Sequence, residues 1–180
     1  MTGSPALVVR GATADDAPAC AAIYAPYVTA TATSFEAVPP TPDEMARRIA
    51  AAQEAHAWLV GERDGEVLGY AYGGQFRTRE AYRWSCEASV YLRTGLRRTG
   101  AGRALYTALL DRLAERGYRQ VFAGITLPNE ASLGLHRALG FTDVGVFRRV
   151  GFKEGRWHDV AWLQRSLGPT DDSTPPTPLH

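Results

Sequence analysis

The segment from Leu96 to Leu105, Leu-Arg-Arg-Thr-Gly-Ala-Gly-Arg-Ala-Leu, constrains the fold most, because a basic, glycine-containing turn in it runs straight into an amphipathic helix. Two glycines one residue apart, Gly100 and Gly102, let the main chain approach an anion closely. Several N–H groups are then aimed at one point near the positive end of the helix dipole. Arg97, Arg98 and Arg103 add positive charge to the turn. Behind it Leu105, Leu109, Leu110 and Leu113 recur at helical spacing, Arg112 and Arg116 suit a helix C-terminus, and Gly117 supplies a stop. The pattern reads as a seat for a pyrophosphate. It lacks the Gly-Lys-Ser/Thr of a nucleoside-triphosphate loop. A dinucleotide fingerprint would place a small residue where Leu105 stands and an acidic ribose partner roughly 20 residues on.

The helix behind that turn needs a sheet to pack on, and the chain is long enough to build one. With 180 residues, 45% of them hydrophobic and 22% charged, it suits one globular domain with a sizeable core. Lys and Arg number 20 against 19 Asp and Glu, a formal net charge of +1, which disfavours an extended nucleic-acid footprint or a polybasic membrane anchor. Cys20 and Cys86 are too few for a disulfide framework and sit in apolar contexts that suggest buried reduced thiols. No apolar run reaches about 18 residues and the N-terminus has no charged-then-apolar signal pattern, so a soluble cytoplasmic protein is expected. Residues 168–180, rich in Pro, Thr, Ser and Asp, read as a disordered tail beyond a domain over 1–167. His56, His136, His158 and His180 are scattered, with no Cys or carboxylate at a ligand spacing, so no metal site is expected.

Local patterns give an order of elements. Leu7 to Arg10 reads as a strand, and Thr13 to Asp16 offers caps for an Ala-rich helix ending near Ala25-Pro26. Thr41 or Asp43 caps a second helix carrying Met45 and Ile49 toward Ala52. Trp58 to Val60 and Val67 to Tyr72 form a hairpin across Asp64-Gly65, a strong turn signal. Ser85 to Leu92 is a fourth strand leading into the pyrophosphate turn, and Val121 to Ile125 a fifth after its helix. Pro128-Asn129 starts a helix with Leu135 and Leu139 on one face and Gly140 as its stop. Val144 to Val150 and Asp159 to Leu167, joined across Glu154-Gly155, close the sheet as a second hairpin. This order belongs to a mixed α/β architecture rather than a doubly wound fold.

Arg97-x-x-Gly100-x-Gly102 resembles the pyrophosphate loop of the GNAT superfamily of N-acetyltransferases, which grip coenzyme A. Further phrases are similar to its phosphinothricin and methionine sulfoximine acetyltransferase branch: Ile23-Tyr24 with Tyr27, Phe35-Glu36, Ala71-Tyr72 and Ala81-Tyr82-Arg83-Trp84. So are Glu87-Ala88-Ser89-Val90-Tyr91, Leu127-Pro128-Asn129-Glu130-Ala131-Ser132 and Trp157-His158-Asp159-Val160. The resemblance implies a single-domain fold with a mostly antiparallel twisted sheet of about seven strands flanked by about four helices. It also implies that the fourth and fifth strands splay apart to hold the acyl-pantetheine arm. The activity it implies is acetyl-CoA-dependent transfer to the α-amine of a small glutamate-like amino acid, without a metal and within a homodimer. Acetylation of another small amine or a protein N-terminus, or a silent coenzyme A-binding module, are the alternatives.

Transfer to an amine needs a neutral nitrogen, a held thioester and donors for an oxyanion. Glu87 is the candidate base: it stands in an otherwise apolar strand, where burial would raise its pKa toward a useful range. The resemblance implies that a glutamate here receives the amine proton, directly or through water. Val90, Tyr91 and Leu92 follow it, and their backbone can pair with pantetheine amides like an added strand. Thr99 and Ala101 complete the cofactor turn with Arg97, Arg98, Gly100, Gly102 and Arg103; Asn129 reads as a helix cap, the resemblance implies that it also contacts the cofactor, and Ser132 one turn on is either a further cofactor contact or a surface residue. At His136 many members of the family carry a tyrosine that reprotonates the departing thiolate, so His136 either supplies that proton or packs the helix. The resemblance places Phe76, Arg77 and Thr78 near the acceptor, where Arg77 is a candidate bidentate partner for a carboxylate or phosphinate. Cys86 and Ala88 flank Glu87 in the acceptor-binding segment, although Cys86 should point to the opposite face of the strand. Tyr24, Tyr27, Phe35 and Tyr82 are candidates to wall either the acceptor pocket or a dimer interface.

Overall fold

The structure, a computed structural model, describes residues 6–96, 99–168 and 179. Strand β1 (Val8–Gly11) leads through a 3-10 turn (Ala14–Asp16) into α1 (Ala17–Thr29) and α2 (Pro42–Ala55). Strands β2 (Trp58–Arg63), β3 (Glu66–Gln75) and β4 (Ser85–Leu92) precede α3 (Ala101–Glu115) and β5 (Gln120–Thr126). Helix α4 (Glu130–Ala138) and strands β6 (Thr142–Lys153) and β7 (Arg156–Ser166) complete the order expected from the local patterns. The seven strands form one sheet in the order β1-β2-β3-β4-β5-β7-β6. Every neighbouring pair is antiparallel except β4 with β5.

That one parallel pair is short. β4 and β5 register only at Ser85↔Gln120, Cys86↔Val121 and Glu87↔Phe122, while β4 stays paired with β3 out to Leu92. The two central strands therefore part at Glu87, the splay that the resemblance implies. A core lies on each face of the sheet. On one, Leu105, Tyr106, Leu109 and Leu113 of α3 pack on Cys86, Ala88, Val121 and Ala123. On the other, Cys20, Ile23 and Tyr24 of α1 with Met45 and Ile49 of α2 cover Trp58, Val60 and Tyr70. Among the described residues no helix is long and apolar enough to cross a membrane.

Two helices depart from their expected form. α1 runs past Pro26 to Thr29 instead of stopping there. Proline removes one helical N–H, but Val28 and Tyr27 beyond it pack into the α1-side core, and burial carries the last turn through. In α4 the fully buried face is Leu133 and His136, with Leu135 and Leu139 only half buried. A histidine can take a core position there because both its ring nitrogens find partners, described below. The expected disordered tail falls on residues outside those described, apart from Gly168 and Leu179, and Leu179 packs against the α3-side core.

The start of the chain is held by charge. Arg10 of β1 donates to both carboxylate oxygens of Asp16 at 2.8 Å and to Glu62 of β2 at 2.7 Å. The Arg10 bonds hold the buried Asp16 carboxyl below its usual range against the opposing effect of burial. A carboxylate whose folded pKa is depressed stabilises the fold above its unfolded pKa and loses that contribution as pH falls through the folded one. Asp16→Asn is expected to cost about 2 kcal/mol at neutral pH, with the difference from the parent shrinking below about pH 4. Denaturant titrations at the two pH values check it.

Candidate active site

Side chains alternate across β4, so Cys86 and Ala88 enter the α3-side core while Glu87 points to the α1/α2 face. Cys86 faces away from Glu87, as strand alternation implies, and the Ala88 side chain with it, so neither walls the face that Glu87 shares; burial pushes the Cys86 thiol well up, away from a nucleophilic thiolate. Glu87 lines a cavity of about 360 Å³ with Thr33 and Phe35 of the α1–α2 loop, Gly124 and Thr126 of β5, Phe147 and Val150 of β6, and Val160 and Trp162 of β7. Burial in this largely apolar setting lifts the Glu87 carboxyl above its ordinary range, and the positive charge of Arg77 opposes the rise. A second cavity, of about 350 Å³, opens on the β3 side of the same face, and its lining includes Tyr24, Arg48, Tyr72 and Gly74. Gly74 is the register partner of Glu87, so the carboxylate stands between two recesses.

The splay leaves backbone groups of β4 facing a gap. Residues 89, 91 and 93 turn their polar groups to β3, as the bond from the Arg93 N–H to the Leu68 carbonyl shows. The alternation therefore aims the N–H and C=O of Val90 and the N–H of Leu92 into the space that β5 has left. Two carbonyls on that side are taken by tyrosines: Tyr106 of α3 donates to Ala88 at 3.3 Å, and Tyr27 of α1 donates to Leu92 at 2.7 Å. Beyond β4 the chain turns into α3 through Gly100, whose φ of 76° is the left-handed conformation that favours glycine. Ala101 and Gly102 are buried at the helix start, and the first-turn amides of an α-helix have no carbonyl partner within it. Thr99 caps weakly, its Oγ1 accepting from the Ala101 N–H at 3.4 Å, and Arg103 reaches from an exposed position to the Ala138 carbonyl at 3.5 Å. Arg97 and Arg98 lie outside the described residues.

His136 is not on the cleft surface. It is 4% exposed, wedged between Tyr106 and Phe141 with ring centroids 5.0 Å from each. Its Nδ1 lies 2.7 Å from the Ser132 carbonyl, which can only accept, so Nδ1 carries the hydrogen. Burial lowers the imidazole pKa and favours the neutral ring, leaving Nε2 as an acceptor 3.0 Å from the Tyr106 hydroxyl. One phenolic hydrogen then serves two acceptors, Nε2 and the Ala88 carbonyl. This relay ends at the splay; of the two readings of His136, the helix-packing one matches its burial, and its ring reaches the splay only through Tyr106.

The other candidates divide. Phe35 is brought to Glu87, whereas Tyr24 sits in the neighbouring cavity and binds Ser34 and Glu36, and Tyr27 braces β4. Phe76 stacks on Phe122 at 4.1 Å, beside the last β4–β5 pair, with the Arg77 guanidinium 4.8 Å above its ring. Arg77 and Thr78 line a separate opening with Tyr82 and Ser85, so only the charge of Arg77 is felt at Glu87. The side chain of Tyr91 belongs to an aromatic cluster with Tyr24, Tyr27 and Tyr70, and its backbone polar groups turn to β3, so the gap is faced by the backbone of its neighbours Val90 and Leu92 instead. Asn129 caps α4, its Oδ1 accepting from the Ser132 N–H at 3.1 Å. Among the described residues no group of His, Cys, Asp and Glu is placed to hold a metal ion. Sequence reasoning missed Tyr106, which looks like one more apolar position of α3, and the β6 and β7 residues that wall the cavity.

Comparison with known proteins gives the family. A family model described as an acetyltransferase (GNAT) domain matches residues 9–162. The chain is 45% identical over 172 residues to a phosphinothricin N-acetyltransferase of Alcaligenes faecalis, covering 94% of this chain and 87% of that protein. It is 39% identical over 167 residues to an L-methionine sulfoximine/L-methionine sulfone acetyltransferase of Pseudomonas paraeruginosa, covering 90% and 95%. Among solved structures, a GNAT phosphinothricin acetyltransferase of Sinorhizobium meliloti in complex with AcCoA superposes with a TM-score of 0.89 at 39% identity, over 95% of this chain and 93% of that one.

Tyr106→Phe removes the hydroxyl hydrogen that the Ala88 carbonyl and the His136 Nε2 share. It is expected to cost about 1–3 kcal/mol of stability, measured by denaturant unfolding.

Proposed function

Since the chain belongs to the GNAT acetyltransferase family, we propose that it moves the acetyl group of acetyl-CoA onto the α-amine of a small glutamate-like amino acid, with Glu87 as general base. The observation that carries this reading is the position of Glu87. It is the carboxylate at the fork of β4 and β5, half buried in an apolar cavity and next in the chain to the backbone that faces the gap. The named relatives that act on phosphinothricin and methionine sulfoximine support the acceptor class.

The residues present fit the donor. Val90 and Leu92 offer their free-facing backbone to the amides of an extended arm, and the Val90 or Leu92 N–H polarises the thioester carbonyl. The left-handed turn at Gly100 and the amides that open α3 receive the diphosphate. Glu87 takes a proton from the ammonium form of the acceptor, directly or through a water, and the neutral nitrogen then forms the new C–N bond. When the C–S bond breaks, the second nitrogen proton balances the charge on the departing sulfur. Cys86 and Cys20 are buried thiols, so transfer is direct. Arg77 contributes a positive charge close enough to hold the Glu87 carboxyl down, and the same charge favours an anionic acceptor. A second copy of the chain is part of the reading. β6 is the edge of the sheet and exposes Val144, Val146, Val150 and Phe152, an apolar edge suited to an isologous contact; sedimentation of a dimer supports it and a monomer contradicts it.

Glu87→Gln is expected to lower kcat by about two orders of magnitude or more while calorimetric binding of acetyl-CoA is kept; near-normal turnover at neutral pH refutes the assignment. In the parent enzyme kcat/KM should rise with pH through a Glu87 pKa above 4.5, and that limb should vanish in the variant. Arg77→Ala is expected to raise KM for an acidic amino acid far more than KM for acetyl-CoA. Assay of phosphinothricin, methionine sulfoximine and unrelated amines side by side, reading free coenzyme A, separates this acceptor class from other amines.

A further inference from the structure

The segment 30–41 between α1 and α2 has no regular secondary structure, yet Thr33 and Phe35 within it form the roof of the Glu87 cavity. Whatever fixes this loop therefore sets the shape of the cavity. From the α2 side, Arg48 donates to both oxygens of Glu36 at 2.7 and 3.1 Å, and the Tyr24 hydroxyl joins Glu36 at 2.9 Å and Ser34 at 2.7 Å. From the opposite side the loop is held by a residue far away in sequence. Lys153, the last residue of β6, donates from Nζ to the Ser34 carbonyl and to the Val28 carbonyl, each at 2.6 Å. Val28 lies in the final turn of α1, where the carbonyls carry the negative end of the helix dipole. A cation is the donor that this position favours, and Lys153 meets main-chain oxygens that no side-chain change in the loop would remove.

Two residues earlier, the strand makes room for the roof itself. A Cβ on Gly151 would lie 2.2 Å from the Phe35 ring, so only glycine leaves the seat in which that ring rests. The buried imidazole of His158 meets the Lys153 carbonyl at 3.0 Å through Nε2 and backs the end of the strand. The β6–β7 hairpin thus grips the loop at its backbone through Lys153 and at its aromatic tip through Gly151.

We propose that Lys153 is a positioning residue that, together with Gly151, clamps the 31–36 roof over Glu87 and thereby sets affinity for the acceptor. It touches neither acceptor nor thioester. The inference rests on the reading of the Glu87 cavity as the acceptor site.

Lys153→Met keeps the aliphatic stem and removes the ammonium. It is expected to raise the acceptor KM about tenfold while KM for acetyl-CoA changes less than about twofold, with part of the loss recovered in Lys153→Arg. Amide hydrogen exchange across residues 31–36 is expected to accelerate in Lys153→Met with no acceptor present. Gly151→Ala should reproduce the KM split in the parent chain and add nothing in a Phe35→Ala background. Unchanged exchange at 31–36, equal KM changes for both substrates, or a Gly151→Ala effect that persists without Phe35 overturns the proposal. Absence of acetyl transfer by the parent chain overturns the acceptor reading instead, a failure distinct from that of the clamp, which hydrogen exchange reads by itself.

Discussion

Pairing between β4 and β5 stops at Glu87↔Phe122, and the rest of the site follows from that stop. A continued parallel ladder would satisfy the backbone of Val90 and Leu92 and close the sheet. Because it ends, those groups face a gap, and buried backbone polar groups need partners. The fold answers part of the need internally, through Tyr106 at the Ala88 carbonyl and Tyr27 at the Leu92 carbonyl. On the proposed reading, the N–H and C=O of Val90 receive a ligand that behaves as a strand, and the amides that open α3 receive that ligand's diphosphate.

The same stop explains the state of Glu87. A carboxylate between two apolar recesses is costly to ionise, and its pKa rises for that reason. A residue with a purely structural task would be better served by an apolar side chain at this position. The two cores on either face of the sheet flank the fork and supply the stability that a half-buried acidic group does not. Over this fixed floor lies an irregular roof whose order comes from hydrogen bonds to α1, α2 and the end of β6. Floor and roof are thus built on different physics, close packing below and polar tethering above.

Much of this was legible in the amino-acid sequence because the signals are local. Asp64-Gly65 and Glu154-Gly155 mark both hairpins, Ser85–Leu92 has the bounds expected of β4, and Gly100, Gly117 and Gly140 take the positive φ that turns and stops require. Glu87 could be singled out because a charge within an apolar strand is conspicuous. What stayed hidden depends on contacts distant in sequence. Tyr106 fits the apolar repeat of α3, and nothing in that repeat shows that its hydroxyl meets a carbonyl 18 positions earlier and a histidine 30 positions later. Spacing left His136 open between proton transfer and helix packing, because it does not reveal burial. Pro26 read as a helix end because propensity carries no account of the packing that extends α1 beyond it. Lys153 is one basic residue beside a turn until the fold brings it to the end of α1.

The most direct test of the account is a crystal structure with acetyl-CoA bound. The account expects the extended arm to lie in the fork, hydrogen-bonded to the backbone of Val90 and Leu92, with the diphosphate on the amides from Gly100 to Arg103 and the acetyl carbon beside Glu87. An arm bound elsewhere, with the β4 backbone still facing an unfilled gap, would contradict it.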